Sequence, residues 1–104
     1  MFNTQHLITF KVLVETGSFT QTAKQLGLTQ PAVSQHIQKL EGKLGTPLLT
    51  RHGRTTEITP AGSILLEHIQ ALEECYERFD TRWQMHLMTE SLRSEFNAVE
   101  PVEA

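Results

Sequence analysis

From Thr4 to Thr16 the apolar residues Leu7, Phe10, Leu13 and Val14 recur at three- and four-residue steps, which predicts a helix with one buried face, ended by Gly17. Ser18 then offers a cap for a second, shorter helix with Gln21 at its third position, and Gly27 follows Leu26 as its stop. Phe19, Ala23 and Leu26 are expected to turn inward. Thr29 is a new cap two residues later, and Pro31 falls in a first helical turn, where a missing amide hydrogen costs nothing. In this third helix Val33, Ile37, Leu40 and Leu44 line one stripe, while Pro31, Gln35, Gln38 and Lys39 project from the other side with Ser34 on the flank. After Gly45 the period changes. Residues 47–51 and 55–59 read as two short threonine-rich strands around the glycine turn His52-Gly53-Arg54.

Thr59-Pro60 opens one more helix, and neither Gly nor Pro recurs between Gly62 and Pro101. Along it Leu65, Ile69, Leu72, Tyr76, Phe79 and Trp83 alternate steps of four and three, an apolar seam at heptad spacing. The seam is narrow and flanked by Glu67, Glu73, Glu74 and Glu77, so it is expected to meet one partner helix, with packing back on its own domain as the other option. Beyond Trp83 a second line, Met85, Met88, Leu92, Phe96 and Val99, is offset from the first, which permits either a continued helix or a bend near residues 89–91. The predicted fold is mainly α: a winged helix-turn-helix, with a three-helix core and a small β-hairpin wing, followed by a long dimerisation helix. The expected divisions are residues 1–59 for the winged domain, 60–99 for the linker and helical extension, and 100–104 for a frayed tail.

Two caps, a tight glycine corner and a helix that is apolar on one side and amide-rich on the other make a pattern suited to reading DNA. Amide and hydroxyl groups hydrogen-bond to base edges in the major groove without requiring burial or charge. An outward polar face is also what any solvated helix carries, so it is the combination that argues for double-stranded DNA as the ligand. The candidate contacts are Ser18, Thr20, Thr29, Gln30, Pro31, Ser34, Gln35, Gln38 and Lys39, with Arg51, Arg54 and Thr59 around the wing. Arginines on a wing can reach phosphates, and Arg54, near the tip, is placed to enter a minor groove.

The overall charge of −3 and pI near 5.9 argue at first against such a ligand. The charge is segregated. Residues 1–62 carry six basic against three acidic side chains, a local +3, and residues 63–104 carry three against nine, a local −6. Attraction to phosphates acts within a Debye length of roughly 8 Å, so a positive half can bind while the acidic half stays clear.

At 104 residues there is room for one small domain and an extension, with a modest core that burial against a partner helps. No apolar run is long enough for a bilayer, no export signal is visible at the start, and the single cysteine, Cys75, suits a reducing compartment, so a cytoplasmic protein is expected. The five histidines, His6, His36, His52, His68 and His86, have no metal-binding spacing, although His36 and His52 remain within reach of DNA as weak donors. Gly27, Gly42, Gly45 and Gly53 are isolated punctuation and form no phosphate-cradling loop, and Ser34 lacks a nucleophile elbow. Neither enzyme activity nor a cofactor is expected.

The run Gly17-Ser18-Phe19-Thr20, then Ala23, Leu26, Thr29 to Ser34, Ile37, Leu40-Glu41, Leu44-Gly45, Pro47-Leu48, Arg51 and Thr59 to Gly62, resembles the N-terminal domain of LysR-type transcriptional regulators over about residues 3–83. The resemblance implies a winged helix-turn-helix and a linker helix that dimerises, usually antiparallel, with reading helices facing successive major grooves. It implies that Thr29, Gln30, Pro31, Ser34 and Gln35 are the base- and backbone-contacting start of the reading helix, and that Arg51 and Arg54 are wing contacts. Gln35-His36 stands where the family often has arginine and glutamine, Thr22 replaces a usual alanine, and Leu49 a usual phenylalanine. Members typically continue into a ligand-sensing domain, and no such pocket is expected within these 104 residues.

The expected function is thus a dimeric, sequence-specific DNA-binding regulator of transcription, with a higher oligomer or a heterodimer with related regulators left open. The competing reading is a short antagonist that pairs with full-length regulators through its linker helix and needs no reading face.

Overall fold

The computed structural model describes residues 1–52 and 55–97, with side chains through residue 94. The order is α1 (Thr4–Thr16), α2 (Phe19–Leu26), α3 (Gln30–Leu44), β1 (Leu49–His52), β2 (Thr55–Ile58) and α4 (Pro60–Asn97). The glycine turn at Gly53, the wing-tip Arg54, the side chain of Phe96, Val99 and the expected tail at 100–104 lie outside the described residues.

Caps set the helix boundaries. The Asn3 side chain accepts hydrogen bonds from the amides of Gln5 (2.8 Å) and His6 (3.3 Å), that of Ser18 from Gln21 (3.1 Å), and that of Thr29 from Ala32 (3.2 Å). Between α2 and α3, Gly27 adopts φ 66°, a left-handed conformation that a side chain would strain, and its amide returns to the end of α2. The corner is closed by the Leu28 amide, which donates to the Ala23 carbonyl at 2.8 Å.

The first compact unit runs from Met1 to Ile69. Its core is Leu7, Phe10 and Leu13 of α1, Ile37 and Leu40 of α3, Leu48 before the wing, and Leu65 and Ile69 of α4. Val33 and Ala23 are buried between the helices as their spacing predicts. Each such aliphatic or aromatic side chain contributes about 1.5–3 kcal/mol on full burial. Thr22, in place of the usual alanine, is fully buried, yet its hydroxyl donates to the Ser18 carbonyl and meets Thr16 Oγ1, both at 2.8 Å. No buried side-chain polar atom among the described residues lacks a partner.

Two expectations need correction here. Leu44, predicted on the buried stripe, is 41% exposed. Leu65 and Ile69, predicted to face a partner helix, are core residues of this unit, because the first three turns of α4 close the domain. The compact unit therefore reaches Ile69, ten residues past the expected limit at Thr59.

The strands pair antiparallel with Leu49 opposite Ile58, Thr50 opposite Glu57, Arg51 opposite Thr56 and His52 opposite Thr55. Two bonds fix the hairpin's base: the Leu48 amide donates to the Glu41 carboxylate (2.8 Å), and the Thr59 amide to the Leu48 carbonyl (3.0 Å).

The second unit begins at Gln70 and consists of α4 alone among the described residues. The helix continues through residues 89–91 without a bend into a second helix. Its aromatic rings follow one another in space, with centroids 6.5 Å apart from Tyr76 to Phe79, 6.1 Å from Phe79 to Trp83 and 5.4 Å from Trp83 to His86. Leu72, Tyr76, Phe79 and Trp83 are all exposed. No described helix is long and apolar enough to cross a membrane.

Candidate nucleic-acid interface

Burial of Val33, Ile37 and Leu40 fixes the rotation of α3, and the opposite side is then forced outward. Gln30, Pro31, Gln35, Gln38 and Lys39 are exposed and Ser34 is half-buried. Thr29, at the head of this face, is exposed while its hydroxyl caps the helix.

The wing flank gathers most of the remaining candidates. One groove is lined by Phe19, Ser34, Ile37, Gln38, Glu41, Leu49, Arg51 and Thr56, and an adjoining one by Gly17, Ser18, Phe19, Thr20, Gln30, Arg51 and Thr56. Ser18, Thr20, Gln30, Ser34, Gln38 and Arg51 thus come to one continuous surface although they are spread over 34 residues of sequence. Within it the Gln30 amide nitrogen donates to the Thr20 hydroxyl, which joins the start of α2 to the start of α3. The Arg51 guanidinium sits over the Phe19 ring, 4.3 Å from its centroid.

Thr59 stands apart. Its hydroxyl donates to the Pro47 carbonyl (2.8 Å) and accepts from the Gly62 amide (3.0 Å), so both of its roles are taken by the wing base and the α4 cap. Arg54 lies outside the described residues.

Three features of the surface escaped the sequence reading. Phe19 was expected in the core, and it is half-buried with one ring face given to Arg51. Thr56 lines both grooves, and its place two residues before the apolar Ile58, on the same face of a strand, was the signal for it. His36 lies on the α1 flank of α3, where its Nδ1 is 2.8 Å from Thr9 Oγ1 and its ring lies tilted against that of His6 with centroids 4.6 Å apart. The His6 pKa is lowered from its ordinary value, first by burial and then by the positive charge of His36 and Lys39.

The groups on offer are amides, hydroxyls and cations, which suit recognition of a polar, negatively charged ligand. Among the described residues no group of three or more His, Cys, Asp or Glu could hold a metal, and Cys75 is free and exposed.

Residues 4–63 match the family of bacterial regulatory helix-turn-helix proteins, lysR family. Among curated proteins, the HTH-type transcriptional regulator TdcA of Escherichia coli K12 is 42% identical over 69 residues, which is 66% of this chain and 22% of that protein. The chain spans about a fifth of the length of such relatives. Among solved structures, the CbnR DNA-binding domain in complex with DNA aligns with a TM-score of 0.74 at 31% identity, over 83% of this chain and 99% of that one. The BenM DNA-binding domain in complex with catB site 1 DNA aligns with a TM-score of 0.69 at 34% identity, over 89% of this chain and 97% of that one.

Proposed function

The chain belongs to the lysR family of bacterial regulatory helix-turn-helix proteins, and from that premise we propose that it binds double-stranded DNA in a sequence-specific manner as a dimeric regulator of transcription. The observation that carries this reading is the continuity of the outward face of α3 with the wing flank, where Ser18, Thr20, Gln30, Ser34, Gln38 and Arg51 share one surface. A helix with that face presents donors and acceptors to base edges, while Arg51 and Lys39 lie to either side to meet the phosphate backbone. Arg54, which lies outside the described residues, is the candidate for a contact in the neighbouring minor groove. The two complexes of related DNA-binding domains support the same ligand class for this chain.

The exposed line Leu72, Tyr76, Phe79 and Trp83 supports pairing of two copies through α4. Two linked reading heads engage two half-sites, and the second contact gains from high effective concentration.

The test is selection from a randomised duplex library, followed by anisotropy titration of the enriched duplex against salt and by mass measurement in solution. A dimer whose affinity falls steeply as salt rises is expected. A dimer with no measurable affinity for any duplex would favour the antagonist instead.

A further inference from the structure

We propose that His6 and His36 form a second phosphate-binding patch beside the amide face of α3, and that a duplex is bound there with uptake of a proton. The inference rests on the DNA-binding reading above and adds to it a site and a condition.

Geometry carries it. His6 comes from the first turns of α1 and His36 from the middle of α3, and their rings meet tilted by 33° with centroids 4.6 Å apart. The Thr9 hydroxyl lies between two partners, the Gln5 carbonyl at 2.9 Å and His36 Nδ1 at 2.8 Å. It has one proton. With that proton given to Gln5, the network assigns a hydrogen to His36 Nδ1, which donates it to Thr9 Oγ1 and leaves Nε2 to meet an external group. The groups that act on His6 from the facing helix are His36 and Lys39, both of them cationic when charged. Among the described residues neither imidazole has a carboxylate within salt-bridge distance.

The patch is therefore built of groups that become positive on protonation, beside the Lys39 ammonium, without an anion of its own. In the free protein, burial and the neighbouring positive charges disfavour a proton on His6. A phosphate lying against Lys39, three positions along α3 from His36, supplies the missing negative charge and reverses that preference.

The experiment is anisotropy titration of the selected duplex at constant ionic strength, from about pH 5.5 to about pH 7.5, with the wild type, His6→Gln and His36→Gln. Glutamine at 36 can keep a bond to Thr9, and helicity by circular dichroism verifies that each variant is folded. Wild-type affinity is expected to fall by about fivefold or more across the range, as uptake of one linked proton requires, and both variants to change less than about twofold. A folded variant that retains the full wild-type pH response, or a wild type whose affinity does not change with pH, would overturn the proposal while leaving DNA binding intact. No binding by the wild type at any pH would overturn the DNA-binding reading itself, and this proposal with it.

Discussion

Arg51 is held over the face of Phe19, with the guanidinium 4.3 Å from the ring centroid, so the first turn of α2 is a platform for the basic side chain of the wing. Such a contact at an exposed site contributes about 0.5–1 kcal/mol, and its larger effect is to restrict where the charge points. Arg51→Ala is expected to weaken binding by a similar factor on every duplex and to lower the slope of log affinity against log salt by about one. Phe19→Leu keeps the charge and is expected to weaken binding by less than about fivefold with the slope unchanged. Anisotropy titrations at several salt concentrations check both.

Glu41 joins the reading helix to the wing. Its carboxylate accepts the Leu48 amide at 2.8 Å, and it also lines the groove that contains Ser34, Gln38 and Arg51. Glu41→Ala leaves a partly buried amide without a partner, a cost of about 1–3 kcal/mol. Chemical denaturation should show that loss. DNA affinity measured where the variant is fully folded should fall as well, because the wing is no longer fixed to α3.

A Cβ at Gly62 would lie 2.4 Å from the Leu48 carbonyl oxygen and 2.7 Å from Ile58 Cγ1. The first of these is backbone and cannot turn aside, so α4 or the wing base must shift. Gly62→Ala is expected to destabilise the domain by about 1–3 kcal/mol, although alanine is the better helix former, and urea unfolding measures it.

These contacts join residues far apart in the chain, and they mark the limit of what the sequence made legible. Caps and periodicity act locally, so Ser18, Gly27, Thr29 and Pro31 were enough to set α2, the corner and α3, and the buried stripe of Val33, Ile37 and Leu40 oriented the outward face. Contacts across long separations were hidden. Nothing in the spacing tells that Gly62 meets Leu48, that Glu41 holds the wing, or that Phe19 is shared between the core and Arg51. The α4 seam misled for a related reason. One heptad line serves two purposes: Leu65 and Ile69 complete the core and Leu72 onward is exposed, and periodicity is the same in both stretches. Leu44 failed as a core prediction because it lies in the last turn of α3, at the domain's edge.

Acid is expected to affect the free domain in the opposite sense to its DNA complex. The His6 pKa is lowered in the folded chain, so just below its ordinary value of about 6.5 the unfolded chain binds more protons than the folded one. Stability is then lost as pH falls through that window and on toward the folded value. Thermal unfolding without DNA should show a lower midpoint near pH 5.5 than near pH 7.5, and His6→Gln should narrow the difference.

The most direct test of the reading face is site selection with the wild type and Gln35→Ala in parallel. Gln35 is exposed at the centre of the outward side of α3, and losing one bidentate base contact costs about 1–3 kcal/mol at the position it reads. The account predicts one enriched sequence for the wild type and relaxed preference at one or two positions per half-site for the variant, with the rest unchanged. Identical preferences for the two proteins, or no enriched sequence for either, would contradict it.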